Sequence, residues 1–314
     1  MKFLKPKFWD YSKPNLLSFF LQIFTIPIRV NNYFLKFKKI NKINKTKTIC
    51  VGNIYVGGTG KTPSTIRLYE LLKKNKYKVI IGKKYYSSQI DEQILLKNKS
   101  KVVLENKIIE ILKKLQNKRR QIIIFDDGLQ DGSINYDLTF VCFDKNLWIG
   151  NNKLIPSGPL REKLDSLKKY DAVLIKGKTK KSRMYVNQLK KYNKDIEVFF
   201  SEIIPANIKK FLPKNRYLIF SGVGNPQGFK EILIKNKINV KKHIIYPDHY
   251  QYNAKDIEYI KSQASKLNLK IITTEKDYVK LSKSEKENIE FLDVRLKFLN
   301  EKKLINFVKL KLNE

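Results

Sequence analysis

The sequence of 314 residues is poor in the side chains that build disulfides and zinc sites, with two cysteines and two histidines. Cys50 and Cys142 both lie inside apolar, β-branched runs, where a thiol behaves as a small hydrophobic group. This usage indicates a reducing compartment and no disulfide framework. Because His243 and His249 are the remaining candidate ligands of this kind, no Cys/His zinc set can be assembled.

Acidic residues are also scarce, since 29 Asp and Glu stand against 65 Lys and Arg, which gives a formal charge of +36. Such an excess suits nucleic acid, an anionic membrane or a polyanionic substrate, and it does not choose among them. The excess is mostly lysine and accompanies abundant Asn and Ile, so the codon bias of an AT-rich genome is an equally good interpretation. No nucleic-acid recognition motif is present, and we expect no nucleic-acid partner.

A long apolar run is missing as well. Residues 14–28 carry no charge, but Gln22, Thr25 and Pro27 interrupt them, and a bilayer span needs roughly 20 apolar residues. The chain then continues with the basic stretch 29–39 instead of the small residues of a cleavage site, which excludes a cleaved secretory signal.

Two interpretations of residues 1–38 stay open. The first is a helix lying in the membrane interface, with Lys36, Lys38 and Lys39 available to anionic head groups. The second is an ordinary core helix packed on the following domain. The many large apolar side chains favour the first, and with it a peripheral location on a membrane.

Beyond residue 45, short β-branched runs alternate with helix-like stretches, which predicts parallel sheets covered by helices. The first series has strands at 48–51, 79–81, 102–104, 121–125, 138–143 and 171–175, with helices at 62–74 and 106–117. The second has strands at 216–220, 243–246, 270–273 and 289–294, with helices near 226–236, 255–267 and 301–312. We therefore predict an α/β domain over 39–208 and a second, smaller α/β domain over 209–314 that closes over the cleft.

A glycine-rich stretch, YVGGTGKTP, follows the first strand and precedes the first helix. A phosphate loop reads G-x-x-x-x-G-K-[ST] in this position, so that backbone N–H groups wrap the phosphates at the helix amino end. Tyr55 stands at the first glycine, although Gly57 and Gly58 keep the loop flexible. The alternative is a turn without a ligand. The predicted nucleotide-binding residues are Tyr55, Val56, Gly57, Gly58, Thr59, Gly60, Lys61 and Thr62.

Two carboxylates end the apolar strand QIIIFDD, and in a parallel sheet they would face the same crevice as the loop. Asp126, Asp127 or both would hold Mg²⁺ together with Thr62, while Lys61 would meet the β/γ-phosphates of ATP. The sequence thus predicts an α/β fold with a P-loop NTPase-like parallel sheet, and ATP and Mg²⁺ as cofactors. The alternative is a membrane-associated P-loop ATPase that positions a partner. Partitioning ATPases of that kind have the loop K-G-G-x-G-K-T, and this chain has Val56 in place of its first lysine.

Six motifs in order resemble the tetraacyldisaccharide 4′-kinase family of lipid A synthesis. They are VGNIYVGGTGKTP at 51–63, DDGLQ at 126–130, GPLRE at 158–162, SGVGNP at 221–226, PDH at 247–249 and TTEKD at 273–277. The resemblance implies transfer of the ATP γ-phosphate to the 4′-hydroxyl of a tetraacylated glucosamine disaccharide 1-phosphate, at the cytoplasmic face of the inner membrane. It implies an acylated disaccharide lipid as substrate and an anionic membrane surface as partner; no obligate protein partner is inferred.

The resemblance also assigns roles to particular residues. It implies that Asp91 is the base for the sugar hydroxyl, that His249 lies beside it, and that Lys61 serves catalysis at the phosphates. Arg161 in GPLRE is a candidate phosphate clamp, because its guanidinium offers a fixed bidentate fork. Whether Arg161 meets the nucleotide or the 1-phosphate of the lipid stays open.

The chain departs from the family pattern at three places. Asp131 stands where DDGLQ is usually followed by histidine, and KKYYS at 83–87 replaces R-G-Y-G-G. The usual G-D-E-P becomes IDEQ at 90–93, which keeps Asp91. Because lysine cannot reproduce the planar fork of arginine, we expect contacts to differ around residue 83.

Overall fold

The computed structural model describes residues 6–34, 46–115, 121–177 and 182–313. The chain divides into two compact units, and each is built from separate stretches of sequence. The larger unit comprises Lys5–Tyr86, Lys99–Ile203 and Leu296–Glu314, and within the described residues the smaller comprises Ser87–Asn98 and Ile204–Arg295. The sequence predicted two contiguous domains, over 39–208 and 209–314. In the structure, residues 87–98 belong to the smaller unit and residues 296–314 to the larger one, so these two stretches differ from that prediction.

The larger unit is organised around a sheet of eight strands, and the pairings among its first seven are parallel. The strands are β1 Lys47–Gly52, β2 Lys78–Lys84, β3 Val102–Glu105, β4 Gln121–Asp126, β5 Leu138–Asp144, β6 Ala172–Lys176, β7 Glu197–Pro205 and β12 Val294–Phe298. Their order is β12-β7-β6-β5-β1-β4-β2-β3. In this register Val51 pairs with Asp126, so the glycine-rich loop begins beside the carboxylates.

The helices that cover the apolar strands of this sheet are α3 Lys61–Lys74, α5 Ile108–Leu115, α6 Ser182–Lys190 and α10 Glu301–Leu312. The amino-terminal segment provides two further helices, α1 Leu16–Phe20 and α2 Ile26–Phe34. Cys50 on β1 and Cys142 on β5 are buried and free, and burial raises the pKa of both thiols, that of Cys142 to about 12. The prediction that they act as small hydrophobic groups is confirmed.

The smaller unit contains a four-stranded parallel sheet in the order β11-β10-β8-β9. Its strands are β8 Arg216–Ser221, β9 Asn239–Ile245, β10 Lys270–Thr274 and β11 Ile289–Leu292, and its helices are α4 Ile90–Lys99, α7 Pro226–Lys235, α8 Ala254–Lys266 and α9 Glu275–Tyr278. Local sequence fixes the helix starts. Asn225 caps α7 ahead of Pro226, and Asn253 and Asp256 form a capping box on α8.

The amino-terminal segment turns its apolar side chains outward. It forms α1, a 3₁₀ turn over Ile23–Thr25 and α2 instead of one continuous helix, because Pro27 fits only in a first helical turn. Polar Ser18 and Thr25 are buried instead, at 0% and 1% exposed. The exposed apolar residues, from 47% exposed at Val30 to 74% at Leu16, are Leu16, Leu17, Phe19, Phe20, Ile23, Phe24, Ile26, Val30, Tyr33 and Phe34.

This pattern contradicts the interpretation of the segment as a packed core helix, since α2 buries none of its side chains. The segment is held to the larger unit through polar contacts, such as the Trp9 Nε1–H bond to the Pro156 carbonyl at 3.0 Å. Lys36, Lys38 and Lys39 lie outside the described residues. None of the helices in the described part of the chain has the length and apolar character that crossing a bilayer requires.

Candidate active site

The glycine-rich loop runs from the end of β1 to the start of α3, as the sequence predicts. Gly57 and Gly60 have φ angles of 120° and 90°, a region that side chains with a Cβ rarely enter. Asn53 is fully buried and braces the loop, because its amide donates to the Tyr55 carbonyl and, at 3.0 Å, to Thr59 Oγ1. The loop conformation is thus held by the chain itself.

Tyr55 and Val56 anchor the beginning of the loop. The Tyr55 ring is fully buried against Leu154 and Leu160, and its hydroxyl donates to Asp10 Oδ1 at 2.5 Å. Burial raises the pKa of this phenol, so it stays protonated. The Val56 N–H donates to the Pro159 carbonyl at 2.8 Å. The phosphate contacts predicted for these two residues stay predictions, and the structure gives both of them anchoring roles.

The later part of the loop offers donors to a ligand. Within the described part of the chain, the N–H groups of Gly58, Gly60, Lys61 and Thr62 have no hydrogen-bond acceptor. They precede or begin α3, where the helix dipole adds positive potential. This arrangement can bind an anionic phosphate group.

Asp126 lies at the centre of a buried polar cluster at the carboxyl end of β4. Its carboxylate accepts from Thr62 Oγ1 at 3.3 Å and Thr65 Oγ1 at 3.1 Å. The Lys83 ammonium, on β2, lies 2.7 Å from Asp126 Oδ2, and the two side chains are 1% and 0% exposed. Thr62 and Asp126 are therefore brought together as predicted. Lys83 also contacts Asp126, and the sequence had indicated it only as a residue that differs from the family pattern.

Asp127 faces a different pair of cations. It has a left-handed φ of 64°, which turns its side chain away from the path of the strand. Its carboxylate lies 3.5 Å from Lys61 Nζ and 3.3 Å from Arg161 Nη1. Arg161 itself is fixed by its N–H bond to the Ile54 carbonyl at 2.7 Å. Two cationic groups thus converge on this carboxylate beside the loop.

Gln130 connects three of the sequence motifs. Its amide donates to the Asn53 carbonyl at 3.0 Å and to Glu162 Oε1 at 2.8 Å. Glu162 in turn accepts from the Tyr170 hydroxyl at 2.9 Å. DDGLQ and GPLRE therefore position the loop as well as supplying charged groups.

Sequence reasoning missed Lys176 and Asp144 at the ends of β6 and β5. The Lys176 ammonium donates to the Gly58 carbonyl at 3.1 Å and pairs with Asp144 Oδ2 at 2.8 Å. The signal was available, because a charged residue ending a buried strand of a parallel sheet lies at the ligand-binding edge.

The smaller unit contains the Asp91–His249 pair. Asp91 lies in the first turn of α4 and is fully buried, and His249 Nδ1 lies 3.0 Å and 3.1 Å from its two carboxylate oxygens. Burial raises the pKa of Asp91, but the hydrogen bond from His249 and the charges of Lys276 and Lys280 outweigh it and lower the pKa to about 2. Asp91 is therefore ionised at neutral pH.

Lys276 and Lys280 complete the surroundings of this pair, and the sequence had assigned them no role. Lys280 is 3% exposed and lies 3.4 Å from Asp91 and 2.8 Å from Asp277. Lys276 lies 3.7 Å from Asp91 and 3.0 Å from Asp248. A network of carboxylates and ammonium groups results, and its two ammonium groups help to hold the carboxylate of Asp91 in its charged form.

The parallel sheet, the strand–loop–helix connection and the carboxylates at the strand ends define a P-loop nucleotide-binding protein of the α/β class, which confirms the predicted fold class. A family model described as "Tetraacyldisaccharide-1-P 4'-kinase" matches residues 15–313. The chain belongs to this family. The predicted family and enzyme class, a kinase, are confirmed.

Curated relatives are similar over their full length. The Tetraacyldisaccharide 4'-kinase of Pelagibacter ubique is 44% identical, with 100% of this chain and 99% of the relative covered. That of Rickettsia akari is 35% identical, with 96% and 95% covered. The crystal structure of LpxK from Aquifex aeolicus in complex with ATP superimposes with a TM-score of 0.67 at 23% identity, covering 95% of this chain and 100% of that one, and supports the fold.

Proposed function

We propose that this protein transfers the γ-phosphoryl group of ATP to the 4′-hydroxyl of a tetraacyldisaccharide 1-phosphate. Family membership and full-length similarity to kinases of that name support the acceptor. One observation favours a kinase over a simple ATPase: His249 Nδ1 lies 3.0 Å from the Asp91 carboxylate. A kinase needs such a proton acceptor, because a sugar hydroxyl must lose a proton as it attacks phosphorus. The new P–O bond forms to the sugar oxygen while the bond to the β-phosphate oxygen breaks and ADP leaves.

ATP would bind along the glycine-rich loop. The N–H groups at the start of α3 would surround the phosphates, and Lys61 and Arg161, which meet at Asp127, supply positive charge for them. Removing charge repulsion in this way accounts for most of the catalysis in phosphoryl transfer, where little covalent chemistry is left to the protein.

Mg²⁺ fits the oxygen donors of Thr62 and Asp126, which lie 3.3 Å apart. Hydroxyl and carboxylate oxygens are the ligands that this ion prefers, and it completes its shell with water and phosphate oxygens. Across the described residues, no group of three or more His, Cys, Asp and Glu side chains is placed so that it could hold a metal ion by itself. When bound, the ion would neutralise the charge on the phosphates.

Asp91 and His249 would act as one proton-accepting unit. The His249 Nδ1–H donates to the carboxylate and fixes the orientation of the ring, while Asp91 stays ionised because its pKa is about 2. A carboxylate with such a low pKa is a weak base alone, so the imidazole beside it is needed to share the arriving proton.

The protein would work at the cytoplasmic face of an anionic inner membrane, as a peripheral protein. The exposed apolar side chains of residues 16–34 support this location, since contiguous apolar surface on a soluble protein marks an interaction site. An acylated acceptor would reach the enzyme from the same surface.

The test is transfer of radiolabelled phosphate from ATP to purified tetraacyldisaccharide 1-phosphate. We expect transfer by the parent protein, loss of transfer in Lys61→Ala, and parental transfer in Lys74→Ala, an exposed lysine at the other end of the same helix. ATP hydrolysis without labelled lipid would favour the partner-positioning ATPase, and full transfer by a folded Lys61→Ala protein would remove the assignment of the loop.

A further inference from the structure

A cavity of about 220 Å³ opens in the larger unit beside the amino-terminal segment. Three cationic side chains line it, Arg29 from α2, Lys153 from the loop before GPLRE, and Lys163 just after that motif. Leu164 and Tyr192 also line the cavity. No ion pair links any of the three cations to a described residue. Uncompensated cations around one concavity form a site for an anion.

One carboxylate, Asp165, also lines the cavity. The balance of three cations and one acid leaves a net charge of about +2, which matches a phosphate group of a lipid better than a neutral sugar. The volume argues in the same direction. Pockets for drug-sized ligands measure about 300–1,000 Å³, so 220 Å³ accommodates a phosphate-sized group but not the two sugar rings of a disaccharide.

The position of Arg29 relates the cavity to the apolar surface. Ile26 and Tyr33 lie three and four residues from Arg29 along α2 and share a helical face with it, and Val30 is its neighbour in sequence. All three are exposed, at 53%, 47% and 55%. A phosphate held at Arg29 would therefore leave its acyl chains beside apolar side chains, in the arrangement typical of an interfacial helix.

We propose that this cavity binds the phosphodiester head group of an anionic bilayer phospholipid and so fixes the enzyme on the membrane at a defined depth and orientation. The inference rests on the proposed location at a bilayer surface. No residue of the glycine-rich loop and neither member of the Asp91–His249 pair lines the cavity, although Leu154 and Leu160, which do line it, also pack against Tyr55. The proposed ligand is a component of the membrane and is distinct from the acceptor.

The experiment compares two triple variants that each lower the formal charge of +36 by three. The cavity variant is Arg29→Gln/Lys153→Gln/Lys163→Gln. The control is Lys209→Gln/Lys210→Gln/Lys214→Gln, three exposed lysines of the smaller unit. Each protein is floated with vesicles of phosphatidylglycerol and phosphatidylcholine, and with vesicles of phosphatidylcholine alone. Thermal unfolding verifies that each variant is folded.

We expect the cavity variant to bind the anionic vesicles at least about tenfold less tightly than the parent, and the control to lose no more than about threefold. Restoring the charge with lysine at position 29 should recover part of the loss. If both triple variants lose the same affinity for anionic vesicles, net charge alone explains the loss, and the proposal of a binding site in the cavity is wrong.

Two further outcomes separate this inference from the proposed function. If the parent protein fails to float with any vesicle, the membrane location itself is wrong. If the cavity variant floats like the parent but needs at least about tenfold more acceptor lipid in detergent micelles, the cavity takes the phosphate of the substrate, and the phospholipid assignment is overturned.

Discussion

Lys83 Nζ lies 2.7 Å from Asp126 Oδ2, and both side chains are almost completely excluded from water. A buried charge survives in a protein interior only when it is paired, and removing one partner of such a pair is costly. Lys83, which stands where the family pattern has arginine, therefore stabilises the Asp126 carboxylate, which we propose as a ligand of Mg²⁺.

The first prediction concerns this ion pair. Lys83→Met should lower the free energy of unfolding by about 3–5 kcal/mol, because it leaves the Asp126 carboxylate buried without a cation. The double variant Lys83→Met/Asp126→Asn should lose less than Lys83→Met alone, since neither buried charge remains. Urea denaturation of the three proteins measures this. A double variant at least as unstable as the single one would show that packing, and not charge, explains the loss.

The second prediction concerns the Asp91–His249 pair. Asp91→Asn should lower turnover by about 10² or more with little change in the ATP concentration needed, because the proton acceptor is lost and the nucleotide loop is untouched. His249→Ala should cost less, and the double variant should be far less than additive. Asp195→Asn, which changes an exposed acid, serves as control. Additive losses would break the proposed unit, and normal turnover in Asp91→Asn would direct the search for the base to Asp127.

The third prediction concerns His243, whose Nε2 lies 3.0 Å from Ser221 Oγ on the neighbouring strand. Burial, aided by the charge of Lys230, lowers its pKa to about 4, so the ring is neutral when folded. The unfolded chain takes up a proton near pH 6.5, so this residue stabilises the fold above that pH and loses the contribution as the pH falls towards 4. His243→Gln should remove about 1–2 kcal/mol of this pH dependence, because the ring is only partly buried and solvent screens its charge. Denaturation at pH 7 and pH 4.5 measures it, and identical pH slopes in both proteins would contradict the prediction.

The fourth prediction concerns the exposed aromatic residues of α1. Phe19→Ser/Phe20→Ser should reduce binding to vesicles more than tenfold, because burying each ring in a bilayer is worth about 1.5–3 kcal/mol. Leu310→Ser/Ile234→Ser removes two other exposed apolar side chains, at 74% and 52%, and should bind like the parent. Flotation separates the two. Similar losses in both would mean that the amino-terminal segment has no special affinity for lipid.

Much of the fold could be predicted from the sequence wherever apolar runs were continuous. The strands predicted at 121–125 and 138–143 match β4 and β5 to within a residue, because each is a block of β-branched and aromatic residues buried in a parallel sheet. Helix α4 and strand β7 escaped prediction. IDEQILLKNK mixes charged and apolar residues without a clear helical face, and the polar Ser and Glu within β7 blur its pattern.

The site divides in the same way. The loop, Thr62 and the two aspartates are local motifs and could be predicted, whereas the Asp91–His249 contact depended on family resemblance. Lys83 was visible as a departure, but a buried lysine cannot be distinguished from a surface one by sequence. The hydrogen bond from Lys176 to the Gly58 carbonyl joins residues 118 positions apart. It depends on the order of the strands in the sheet, which the sequence does not show directly.

The division of each unit into separate stretches of sequence has a consequence for synthesis on the ribosome. Asp91 precedes His249 by 158 residues, so at about 5–20 residues per second its partner emerges about 8–30 s later. The smaller unit ends at Arg295, and the larger one still needs Leu296–Glu314, which provides α10 and most of β12. The larger unit therefore cannot be completed before the smaller one as the chain is made, and a ribosome that stops just after Arg295 releases a complete smaller unit beside a larger unit that lacks α10.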